Sequence, residues 1–157
     1  MKIGLTINGQ NQAFEATPGE SLLDVLRRNG YIDVKKGCGT GDCGACAVLF
    51  NGRAVNSCLI LAAKANGAEV LTVAGLAPAG ELHPIQQAFL DEGAVQCGYC
   101  TPGMVISAYD LLSRNNDPTD EEIQEAIAGN LCRCTGYVKQ VDAIRKAGAI
   151  MRGEANE

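Results

Sequence analysis

Residues 37–46 read Gly37-Cys38-Gly39-Thr40-Gly41-Asp42-Cys43-Gly44-Ala45-Cys46, and this run decides the fold of the first half of the chain. Its C-x4-C-x2-C spacing, followed by Cys58, is that of a plant-type [2Fe–2S] site whose fourth ligand arrives from a separate loop. Four thiolates around two irons and two sulfides leave a net negative charge. Backbone N–H groups must therefore turn toward the sulfurs, and Gly37, Gly39, Gly41 and Gly44 let the chain wrap that closely. The run fails as a phosphate loop, because no G-K-[ST] follows it. A zinc knuckle draws on the same residue types and stands as the alternative on spacing alone.

The segments flanking this loop alternate with period two. Ile3, Leu5 and Ile7 alternate, Asn8-Gly9 is a hairpin turn, and residues 13–16 carry the return strand. Thr17-Pro18-Gly19-Glu20 has capping-box spacing before a helix through Leu22, Leu23, Val25 and Leu26, with Gly30 placed to end it. A second hairpin is expected from Ala47 to Val55 around Asn51-Gly52, and a last strand over 69–73. Two hairpins, one crossing helix and a late strand make a β-grasp, ferredoxin-like domain over residues 1–75.

Ala74 to Gly80 is rich in small residues and contains a proline, so a connector is expected, set at 76–82. Beyond it the apolar period becomes 3.6. The stripes are Ile85/Ala88/Phe89, Val105/Ala108/Tyr109/Leu112, Ile123/Ala126/Ile127 and Val141/Ile144/Ala147/Met151. The class is thus α+β, with an all-α bundle of four short helices over 83–157. Thr119 and Glu122 form a capping box, and Thr101-Pro102 resembles a cap and first helical residue.

The other four cysteines fall in this second half, as the pair Cys97/Cys100 and the pair Cys132/Cys134. Both pairs are expected where helices begin or end, and helix N-termini favour an anionic group. A thioredoxin-like motif needs a βαβ context that is missing here. The single histidine, His83, precedes Pro84 and suits helix entry. A Rieske centre, which takes two histidines, fails on count. Tyr99 lies between two candidate ligands and is expected to shield the site.

A formal charge of −5 over 157 residues, with no basic stripe, argues against nucleic acid as a partner. The N-terminus lacks signal-peptide features and no stretch is long enough to cross a bilayer, so no membrane role and a cytoplasmic location are expected. Thiols stay reduced there, which turns eight cysteines toward metal ligation.

Three segments, Lys36-Gly37-Cys38 through Cys46-Ala47-Val48, Gln96 through Gly103, and Gly129 through Tyr137, resemble the signatures of one family. It is the small iron–sulfur subunit of molybdenum hydroxylases, the xanthine dehydrogenase, aldehyde oxidoreductase and carbon monoxide dehydrogenase relatives. Ala47 stands where threonine is frequent. The resemblance implies two [2Fe–2S] clusters, one on Cys38, Cys43, Cys46 and Cys58, the other on Cys97, Cys100, Cys132 and Cys134. It implies a molybdopterin-binding large subunit and an FAD-binding medium subunit, assembled as a dimer of heterotrimers. Gln96 matches a position that contacts the pterin, and Cys134 matches the ligand nearest the pterin's amino group. The implied function is electron transfer from molybdopterin to FAD, with no catalytic residue on this chain. The favoured substrate class is a purine or another N-heterocycle. A small subunit of an aldehyde or carbon monoxide dehydrogenase, a diffusing ferredoxin-like carrier and a zinc-stabilised module are the rivals.

Overall fold

The computed structural model describes residues 1–154. Alternating apolar side chains build its first strand: Ile3, Leu5 and Ile7 of β1 (Lys2–Ile7) all point into the core. Asn8 and Gly9 take positive φ and turn the chain into β2 (Gln10–Glu15), which pairs antiparallel with Ile3 opposite Phe14. Asn51-Gly52 repeats the device between β3 (Ala47–Phe50) and β4 (Arg53–Asn56). The late strand β5 (Glu69–Leu71) lies between the hairpins, parallel to β1 and antiparallel to β3, giving the order β2-β1-β5-β3-β4. Across one face runs α1 (Leu22–Arg28), burying Leu22, Leu23, Val25 and Leu26 against the strand residues. This is the expected β-grasp.

The cap of α1 differs from expectation. Ser21 caps it, its Oγ accepting the Asp24 N–H, while Thr17 and Glu20 close a separate turn in which the Thr17 N–H donates to the Glu20 carboxylate at 2.9 Å. Ser21 is still extended and bridged to Leu61, so helical geometry cannot begin before it.

The second half contains no strand among the described residues. Its helices are α2 (Pro84–Asp91), α3 (Thr101–Arg114), α4 (Asp120–Ile127) and α5 (Val138–Met151). Two are short; α3 and α5 run 14 residues each. The expected stripes form one core around Phe89, Met104, Leu112, Ile123 and Ile144, although Met151 emerges at its edge. Expected entry signals hold at α2, where His83 and Gln86 form a reciprocal cap, and at α4, where Thr119 and Glu122 do so. At α3 the cap is Cys100 rather than Thr101. Of the bundle expected over 83–157, residues 155–157 lie outside the described residues.

The two halves share a packed seam. Ile106 of α3 is buried against Ala47 and Leu49 of β3, and Val73 and Leu76 pack against both this seam and the helical core. The connector is therefore anchored at its first residue. Across the same seam, Arg53 Nε donates to Asp110 Oδ1 at 3.2 Å, and Arg114 holds the other carboxylate oxygen at 3.0 Å. No helix among the described residues is long and apolar enough to cross a membrane.

Candidate metal centres

The 37–46 loop leads directly into β3, and Cys58 sits in the short turn Ser57–Leu59 that follows β4. The β3–β4 hairpin thus brings Cys58 back beside Cys46. Buried Ser57 fixes that approach: its Oγ donates to the Cys46 carbonyl at 2.8 Å and its N–H to the same oxygen at 3.3 Å. Asn56 Nδ2 holds the Gly41 carbonyl at 3.0 Å. Backbone amides then point at sulfur. Thr40 and Asp42 N–H groups donate to Cys38 Sγ at 3.4 and 3.3 Å, and the Cys38 N–H donates to Cys43 Sγ at 3.4 Å. A Cβ on Gly37 would fall 2.6 Å from Cys43 Sγ, so a side chain there would occupy the space of the thiol.

These contacts divide the thiols chemically. Hydrogen bonds from the Thr40 side chain and from the Thr40 and Cys43 backbone hold Cys38 down at about 6. Burial, then the neighbouring Cys46 thiol, pushes Cys58 up to about 11. Cys38 therefore gives up its proton far more readily than Cys58.

The second quartet forms from two loops. Cys97 and Cys100 lie between α2 and α3, and Cys132 and Cys134 between α4 and α5. The loops 92–100 and 128–137 bring them together in a cleft of about 210 Å³, which also carries Gly37 and Cys43 of the first loop. Burial, then Cys132, raises Cys100 to about 12. Burial works to raise Cys132 too, but Thr135, the nearby backbone amides and the Cys100 thiol bring it down to about 7. Cys134 is raised chiefly by its hydrogen bond with the Cys97 thiol.

Neighbouring thiols thus act on one another within each quartet, Cys46 on Cys58, Cys132 on Cys100 and Cys97 on Cys134. With sulfur-directed amides and an open cleft, both quartets fit an anionic [2Fe–2S] group.

Where the two loops touch, the fit is close. The Leu131 N–H donates to the Cys43 carbonyl at 2.9 Å, and Asn130 Nδ2 donates to the Gly44 carbonyl at 3.2 Å. Ser107 Oγ orients Asn130 through its Oδ1 at 2.7 Å. Any Cβ on Gly103 would strike the Gly44 carbonyl oxygen. Tyr99 lines the same cleft, half exposed, and its hydroxyl donates to the Lys36 carbonyl, so it also straps the loops together. Gln96, Cys97 and Cys134 of the helical half are exposed, as is Cys38 of the first loop.

Two family models cover these halves in turn. A 2Fe-2S iron-sulfur cluster binding domain matches residues 5–72, and a [2Fe-2S] binding domain matches 72–145. The nicotinate dehydrogenase small FeS subunit of Eubacterium barkeri is 51% identical over 92% of this chain and 93% of its own length. The chain is a small iron–sulfur subunit of the molybdenum hydroxylase family. A xanthine dehydrogenase iron-sulfur-binding subunit of Escherichia coli is 46% identical over 90% of this chain and 91% of its own. A chain of quinoline 2-oxidoreductase from Pseudomonas putida 86 superimposes with TM-score 0.92 at 42% identity, covering 99% of this chain and 98% of that one. As such a subunit the protein carries two [2Fe–2S] clusters, transfers electrons and works within a hetero-oligomer.

Sequence reasoning missed the residues that hold these loops in place: Ser57, Asn130, Thr135 and Gln140. One signal was available. Gln140 lies four residues before Ile144 on the apolar stripe of α5, and a polar residue on a buried face needs partners.

Proposed function

We propose that this subunit is a fixed relay between a molybdopterin centre on a large subunit and FAD on a medium subunit. Cys97, Cys100, Cys132 and Cys134 hold the cluster on the molybdopterin side; Cys38, Cys43, Cys46 and Cys58 hold the one on the flavin side. Each cluster, when bound, takes up and gives back one electron at a time. Residues 1–75 serve as the ferredoxin-like domain, 76–82 as connector and 83–157 as the helical domain.

The observation that carries this reading is the hydrogen bond from the Leu131 N–H to the Cys43 carbonyl. It joins one ligand residue to the peptide beside another, Cys132, so the two loops are held at a fixed separation. A diffusing carrier needs one exposed site, whereas here two cysteine loops are bonded to each other and share a cleft. Gln96 and Cys134 of the helical half are exposed, where a partner's pterin could meet them. The chain's own residues bind, orient and tune; they supply no catalytic group.

The names of the relatives support an N-heterocycle as the substrate of the complex, since nicotinate, xanthine and quinoline are all N-heteroaromatic. Eight unpaired thiols suit a cytoplasmic location. A dimer of heterotrimers is the proposed assembly. The test is Gln96→Ala in the intact complex: slower reduction of the clusters by substrate, with iron content unchanged, supports the pterin contact. Unchanged reduction refutes it. Native purification tests the relay itself, which requires co-elution with two larger subunits; a lone chain with full carrier activity would refute it.

A further inference from the structure

Thr135 carries one hydroxyl hydrogen and stands between two acceptors. Its Oγ1 lies 2.9 Å from Gln140 Oε1 and 3.1 Å from Cys132 Sγ. One hydrogen cannot serve both. The Tyr137 N–H also reaches Oγ1, at 3.4 Å, but as a donor, so it does not decide between them. Gln140 is fully buried at the start of α5. Its Nε2 donates to the Ala94 carbonyl at 3.2 Å and, in a long contact of 3.9 Å, to Cys132 Sγ. Turning that amide over would set two oxygens against each other at Ala94, so Oε1 is fixed toward Thr135. A buried amide is costly unless its partners are required. An aliphatic side chain would fill the same position without needing any.

We propose that Thr135 is a hydroxyl rotor that sets the reduction potential of the cluster at Cys132, with Gln140 as the acceptor that draws the hydrogen away from sulfur in the oxidised state. This rests on Cys132 being a ligand, as proposed above. One electron, delivered by the molybdenum centre in turnover or by dithionite in a titration, adds negative charge to the sulfur ligands. The hydroxyl then turns from Gln140 Oε1 to Cys132 Sγ, because hydrogen bonds to a charged acceptor are the stronger ones. The hydrogen stays covalently on Oγ1 throughout; only the acceptor changes. Thr135 and Gln140 are thus positioning residues for the relay, acting through Cys132.

The test is an EPR-monitored redox titration of the whole complex carrying Thr135→Val, Thr135→Ser or Gln140→Leu, with iron counted in each. Cys58→Ser, which removes the other cluster's signal, assigns the two midpoints. Thr135→Val should make the helical-half cluster harder to reduce, by up to about tenfold in the reduction equilibrium (~59 mV for one electron). Thr135→Ser should restore the native midpoint. Gln140→Leu should shift it the opposite way, because sulfur is then the hydroxyl's only acceptor, a gain that outweighs losing the long 3.9 Å contact from the amide to sulfur. The other cluster should not move. Shifts of the same sign in Val and Leu variants, or no shift, or no rescue by serine, would overturn the rotor. If Thr135→Val loses iron, Gln140→Leu decides: a raised midpoint supports the rotor and any other result overturns it. Full iron with unmoved midpoints sinks the rotor alone, whereas wild-type complex lacking the second cluster sinks the ligand assignment as well.

Discussion

The backbone N–H of Leu131 donates to the carbonyl of Cys43 across 2.9 Å, so a cysteine loop of the sheet half is bonded to a cysteine loop of the helical half. Neighbouring contacts hold that bond in place. Asn130 is almost fully buried beside it and bridges the Gly44 carbonyl to Ser107. Asn130→Ala should strand both partners and cost about 1–3 kcal/mol of stability. Urea unfolding of the complex measures the loss, and rapid-freeze EPR should show slower electron exchange between the clusters with both signals retained.

Gly103 tests the seam sterically. Its position places any Cβ on the Gly44 carbonyl oxygen, which is backbone and cannot swing away. Gly103→Ala should destabilise the chain by about 1–3 kcal/mol through overpacking. A melting temperature equal to wild type would show that the halves are not closely seated there.

His83 gives the account a pH dependence. Its Nδ1 caps α2 by accepting the Ile85 N–H at 3.3 Å, which requires the neutral ring, and burial holds its pKa below the usual 6.5. The unfolded chain then binds the proton more readily than the folded one. Stability from this cap is complete above 6.5 and is lost as pH falls below it toward the folded value. His83→Asn keeps an N-cap acceptor without titrating. Its melting temperature should therefore drop less than that of wild type when pH is lowered from about 7.5 to about 5.5, a window spanning the ordinary histidine value.

Each quartet should fail alone. Cys58→Ser should abolish one EPR signal and leave about half the iron, and Cys100→Ser should abolish the other, since each [2Fe–2S] group needs its own four ligands. Loss of both signals from either single change would contradict separate quartets.

Much of this was legible in the sequence because local chemistry and tertiary structure agree. Asn8-Gly9 and Asn51-Gly52 demand hairpin turns and form them, and the period change after Gly80 marks the helices. The caps read less well. Ser21 replaces Thr17 because a bridge to the distant Leu61 keeps the chain extended. Thr101 yields to Cys100 because the ligand loop runs straight into α3. The strap at Tyr99 and the clamp at Asn130 join the two halves of the chain, and no local pattern encodes such pairings.

Metal and sulfide analysis of anaerobically isolated native protein, read together with EPR of the reduced state, tests the central claim most directly. Two [2Fe–2S] clusters require about four irons, about four acid-labile sulfides and two distinct signals per chain. Stoichiometric zinc with no labile sulfide and no signal would contradict it.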